Sequence, residues 1–106
     1  MTFVGKKLLL RYESGLEVVA EYKSATEMTW HAMTGPSKGN KGNETIYAAE
    51  VEPSVFFINW LEKDKATSVS NIVNLKRFRV TAFVTFDSPQ GRQSFFDAGT
   101  ITDVRR

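Results

Sequence analysis

The residues best placed by type and spacing to do chemistry are Trp60 and Glu62. They end the run Val55-Phe56-Phe57-Ile58-Asn59-Trp60-Leu61-Glu62. Read as a strand, that run sends alternate side chains to opposite faces, so Phe56, Ile58, Trp60 and Glu62 share one. A carboxylate that continues an apolar face is desolvated if the face is interior. Desolvation raises a carboxyl pKa, and an acid still protonated near neutral pH is what a general acid requires. If the strand instead frays at Leu61, Glu62 meets solvent at a rim. Tyr12 follows Leu8 and Leu10 in phase, so its ring is expected inside, where its hydroxyl needs a ligand, a water or a backbone partner. Trp30 and Trp60 can both pack a core and line a pocket.

Other chemistries find less support. The chain has no cysteine, which excludes disulfides, thiolate nucleophiles and zinc–thiolate sites. His31 is the single histidine, alternates with Trp30 and is expected outside, so neither a metal site nor a serine–histidine pair is predicted. The segment Gly35-Pro36-Ser37-Lys38-Gly39-Asn40-Lys41 lacks both the spacing and the following helix of a phosphate loop. In Lys76-Arg77-Phe78-Arg79 the aromatic and basic residues alternate, so they offer nucleic acid no common stacking face.

The elements that must position these residues are strands. Alternation predicts strands over 6–12, 16–23, 27–33, 44–51, 55–62, 67–74, 75–86 and 94–104. Glu13-Ser14-Gly15, Lys63-Asp64-Lys65-Ala66 and Asp87–Gly91 read as turns, and Gly99 as a bulge or corner. Residues 34–43, with three glycines and a proline, read as a loop long enough to bear on function. No amphipathic helix is visible. About eight strands in sequential order close most simply into a single antiparallel up-and-down β-barrel, which leaves no free edges. A β-sandwich fits the same alternation. The 106 residues suffice for one domain with one core, and residues 1–106 are read as such.

Lys and Arg exceed Asp and Glu by 14 − 12 = 2, too little to indicate a polyanionic partner. The first residues lack the basic-then-apolar order of a signal peptide, and no apolar run approaches the roughly 18 residues of a membrane span. A cytoplasmic protein that binds neither membrane nor nucleic acid is expected.

The order Phe3-Val4-Gly5-Lys6, Tyr12-Glu13-Ser14-Gly15, Glu44-x-x-Tyr47 and Phe57-x-x-Trp60-x-Glu62 resembles the MoaF-like calycin barrels. It is also similar to the related bacterial phenolic acid decarboxylases. The resemblance implies a lipocalin-like barrel that works without a cofactor. In the decarboxylases a glutamate inside the barrel protonates the substrate, and two tyrosines and an arginine orient its carboxylate. Glu62 and Tyr12 match the glutamate and the second tyrosine. Leu10 stands at the first tyrosine, and Asn40, between Lys38 and Lys41, stands at the arginine.

The expected function is the binding of a small, aromatic or partly apolar molecule inside the barrel. Leu10, Trp30, Tyr47, Phe56, Ile58 and Trp60 would form the ligand site, with 34–43 near its mouth. The alternative is a lyase or isomerase in which Glu62 is the acid/base and Tyr12 the orienting donor. A second alternative is a filled barrel that acts through its outer surface, as a homodimer.

Overall fold

Val55–Glu62 forms an eight-residue strand in which Phe56, Ile58 and Trp60 are buried and Phe57 and Leu61 exposed. The computed structural model describes residues 2–62 and 66–104. Lys63, Asp64 and Lys65 of the expected turn, and the Arg105-Arg106 tail, lie outside the described residues.

The strands are β1 (Lys7–Tyr12), β2 (Glu17–Tyr22), β3 (Glu27–Ala32), β4 (Lys41–Thr45), β5 (Tyr47–Glu52), β6 (Val55–Glu62), β7 (Thr67–Asn74), β8 (Arg79–Ser88) and β9 (Gly91–Asp103). All nine belong to one antiparallel sheet of order β4-β3-β2-β1-β9-β8-β7-β6-β5. The first strand thus pairs with the last, with Leu10 opposite Ile101, and the sheet curls into a nearly closed up-and-down barrel. Gly99 allows the closure. A Cβ there would collide with the backbone carbonyl of Arg11.

The seam departs from the expected strand over 44–51. The chain runs in one direction from Lys41 to Glu52 but changes neighbour at Ile46. Lys41–Thr45 pairs with β3, and Tyr47–Glu52 pairs with β6. Ile46 is buried at this hinge, where its N–H donates to the Thr26 carbonyl at 2.9 Å. Nine strands therefore result where about eight were expected, because one long strand is bent into two.

A second departure concerns residues 75–78, expected as the start of β8. The Asn74 side-chain oxygen accepts the N–H groups of Lys76 and Arg77, each at 3.0 Å, and this local turn outcompetes the ladder. Phe78, which a strand over 75–86 puts in phase with buried Val80 and Ala82, ends that turn at φ +56° and is 42% exposed.

The registers place Tyr12, Glu17, Ala32, Lys41, Glu62 and Thr67 at one end of the barrel, called the upper end here. Lys7, Tyr22, Glu27, Val55 and Asn74 lie at the lower end. The lower end is plugged by Phe3. Its ring meets Tyr22 edge-on at 5.3 Å and Phe56 at 5.0 Å, and Ile58, Val73 and Leu75 complete a solid core.

Candidate functional site

Above that plug the inward side chains no longer meet, and a cavity of about 440 Å³ opens toward the upper end. Seven of the nine strands, all but β4 and β5, contribute through their inward phase. β1 supplies Leu10 and Tyr12, β2 supplies Val18, Ala20 and Tyr22, and β3 supplies Met28, Trp30 and Ala32. On the other side stand Trp60 and Glu62 of β6, Val69 and Asn71 of β7, Ala82, Val84 and Phe86 of β8, and Phe95 and Asp97 of β9. Ser37 and Asn40, from the loop between β3 and β4, complete the wall near the mouth.

The two tryptophans are oriented alike, each by a glutamate. The Trp60 indole N–H donates to Glu62 Oε2 at 3.0 Å, and that of Trp30 donates to Glu44 Oε2 at 2.8 Å. Gly42 makes room for Trp30. A Cβ at that position would lie 2.8 Å from the indole nitrogen. Glu62, half-buried, thus sits at the mouth with its second oxygen toward no described partner.

Asp97 is only 8% exposed and is held by neutral donors: Ser14 Oγ at 2.6 Å, the Ser14 N–H at 3.4 Å and the Ala98 N–H at 3.0 Å. It ties the β1–β2 turn to β9. Burial pushes the Tyr12 phenol well above the ordinary tyrosine range, and Tyr22 and the Asp97 carboxylate add to the shift. Burial does the same to Tyr22. Both phenols therefore remain hydrogen-bond donors throughout the neutral range. Two polar atoms in the cavity wall lack a partner among the described residues, Tyr22 Oη, a donor, and Asn71 Oδ1, an acceptor.

Of the residues nominated from sequence, Glu62, Tyr12, Leu10, Trp30 and Trp60 line this one cavity. Phe56 and Ile58 have the inward phase but lie below it, packed into the floor. Tyr47 is a correction. It is 68% exposed on the outside of β5, because Ile46 takes the inward position where the chain changes partner. Lys38 and Lys41 are exposed, and Lys41 lies across from His31 on the outer face of the β3–β4 pair. Sequence reasoning missed Asn71, Asp97 and Tyr22 as site residues. The signal for the first two was available: each is a polar residue on the inward phase of an apolar strand, between Val69 and Val73 and between Phe95 and Ile101 respectively.

The architecture is that of a nearly closed barrel with an accessible interior. Within that class the chain belongs to the MoaF-like family, whose model matches residues 4–102. No curated protein matches it. Among solved structures it is similar to a Burkholderia vietnamiensis protein described as a "putative beta-lactamase". The two are 23% identical, with a TM-score of 0.82 over 98% of this chain and 97% of that one. At that identity the likeness speaks for the fold alone.

Proposed function

We propose that this protein binds a small, partly apolar molecule inside the upper half of its barrel. One observation carries the reading. The cavity of about 440 Å³ has aromatic and aliphatic walls, yet two enclosed polar atoms in them, Tyr22 Oη and Asn71 Oδ1, have no partner among the described residues. A buried polar atom left unpaired costs roughly 1–3 kcal/mol, which a ligand or an ordered water offsets. Apolar walls with a few convergent polar groups are the usual make-up of a small-molecule site.

The two tryptophans are built-in reporters, since the chain has no others and both line the cavity. Titration with a neutral aromatic probe such as N-phenyl-1-naphthylamine is expected to change their emission saturably, at one probe per chain. Ala82→Leu, which projects three more carbons into the cavity, is expected to abolish the response while the protein stays folded. Absence of saturable binding by the unaltered protein would overturn the reading.

A lyase or isomerase is favoured by one further observation: Glu62 and Tyr12 reach the same cavity, the first as acid/base and the second as a protonated donor. Leu10 and Asn40, at the positions of the decarboxylases' other two groups, line it too but supply no cation. Glu62→Gln should then abolish turnover of a bound substrate while leaving its binding measurable. Turnover that survives the substitution would remove Glu62 from the mechanism.

A further inference from the structure

The charges around the cavity are of one sign. Glu62 and Asp97 line it, and each is hydrogen-bonded only by neutral groups among the described residues. The third carboxylate in the wall, Asp87, is neutralised by Arg92 at 2.8 Å. No lysine or arginine among the described residues lines the cavity. Two acidic groups alone would not define a site. The unpartnered Asn71 Oδ1, on a residue 2% exposed, and the fully enclosed Tyr22 Oη supply the independent sign that something is bound there.

We propose that the cavity selects a small organic amine in its protonated form, its apolar body beside Trp30 and Trp60 and its ammonium group on Glu62. This rests on the interior-binding reading and adds the class of ligand. A carboxylate ligand would enter a partly desolvated space beside two like charges, with no described cation to meet it, and like charges brought together at low dielectric repel strongly. An ammonium group instead gains the Glu62 oxygen that has no partner among the described residues, and the indole rings, whose faces attract cations through their quadrupoles. Asn71 Oδ1 and Tyr22 Oη then offer one acceptor and one donor to a polar group at the ligand's far end.

The test uses three molecules of one shape: 2-phenylethylamine, 2-phenylethanol and 3-phenylpropanoate, compared by calorimetry at neutral pH. The amine is expected to bind at least about tenfold more tightly than the acid, the difference that a single ion pair of about 1.4 kcal/mol confers. Glu62→Gln is expected to bring that ratio toward one. Binding of the acid as tight as that of the amine would overturn the amine assignment and leave the interior site standing. An amine preference unchanged in Glu62→Gln would also overturn it. Failure of all three, the alcohol included, would overturn the interior site as well.

A different observation concerns the outside. Paired residues share a face, and the outer face across β5 to β9 reads Tyr47–Asn59–Ser70–Phe83–Phe96 in one row. The flanking rows read Ala49–Phe57–Ile72–Thr81–Ala98 and Leu61–Ser68–Thr85–Ser94. These rows contain no charged residue, and the one charge that reaches their margin, Arg92 on Thr85 Oγ1 at 2.8 Å and Ser68 Oγ at 3.5 Å, is paired with Asp87; yet Tyr47 and Phe96 are each 68% exposed, Leu61 53% and Phe83 48%. The geometry points to a second copy of this chain as the partner, docked face to face. In a two-fold interface each side chain near the axis meets its own counterpart, so an uncharged field is the arrangement that incurs no like-charge penalty.

The exposed aromatic and leucine side chains alone amount to on the order of 500 Å², toward the roughly 800 Å² per partner of a stable interface. Sedimentation velocity is expected to show a dimer, and Phe96→Glu, an exposed substitution, a monomer with unchanged circular dichroism. A monomer at every concentration tested, or a dimer indifferent to both Phe96→Glu and Phe83→Glu, would overturn the proposal.

Discussion

At the lower end of the barrel Phe3 enters between Tyr22 and Phe56, and Ile58, Val73 and Leu75 close around them, each at most 5% exposed. At the upper end the same strands continue the same inward phase with Tyr12, Trp60, Val69, Ala82 and Val84, and these leave about 440 Å³ between them. The two halves differ in what faces what. Below, an N-terminal segment outside the strands supplies a plug. Above, small residues such as Ala20, Ala32 and Ala82 border a space that no other described segment fills. The lower half is the packed foundation, and the upper half holds the cavity to which binding is proposed. The division places core packing and the cavity wall on inward residues of the same strands, a few positions apart.

The comparison breaks most directly in the floor. Phe56→Ala is expected to lower unfolding free energy by about 3–5 kcal/mol, the range for a buried phenylalanine whose neighbours cannot collapse into the gap. Urea denaturation measures it, and a loss below about 1 kcal/mol would mean that the floor is not packed tightly.

Alkaline titration sharpens the contrast next. Tyr12 and Tyr22 are held above the ordinary value of 10.0 in the folded protein. An unfolded chain releases their protons from about pH 10 upward, whereas the native state keeps them, so stability is unaffected below that pH and falls above it. The slope approaches about 1.4 kcal/mol per pH unit for each tyrosine. Absorbance at 295 nm should therefore show these two phenols ionising together with unfolding. Ionisation of one of them in a still-folded protein would single out Tyr12, beside the open cavity, as reached by water.

The smallest effect is expected at Asn71. Asn71→Leu keeps the side-chain volume and removes an unpartnered acceptor, so it should raise stability by about 1 kcal/mol while weakening ligand binding. A fall in stability would show that water already satisfies Asn71 in the free protein.

Much of the scaffold was legible. Strands 55–62 and 67–74 begin and end where they were expected, because neither run contains glycine or proline and turn-forming residues bound them, Pro53-Ser54 before the first and Asn74 at the end of the second. The strand over 44–51 was read as one piece. Ile46 gives no local sign that the chain leaves β3 for β6 there, since a hydrogen-bond partner is not a property of the strand that seeks it. Residues 75–78 misled for the opposite reason: a local competitor, the Asn74 side chain, interrupts a pattern that suits a strand.

By itself the sequence determined the all-β class and, Tyr47 and Phe78 apart, which side chains point inward. The two-residue period of a strand is a steric property of the local backbone. It also placed Glu62, Trp60 and Tyr12 on inward phases. Only the tertiary structure decided the height of each inward residue in the barrel. Whether Phe56 packs and Trp60 lines a cavity depends on the stagger between strands and on where Phe3 stops, and both involve residues far apart in the chain. The same holds for the sign of the charge inside. Glu62 and Asp97 lie on β6 and β9, and only the curl of the sheet makes them walls of a single cavity.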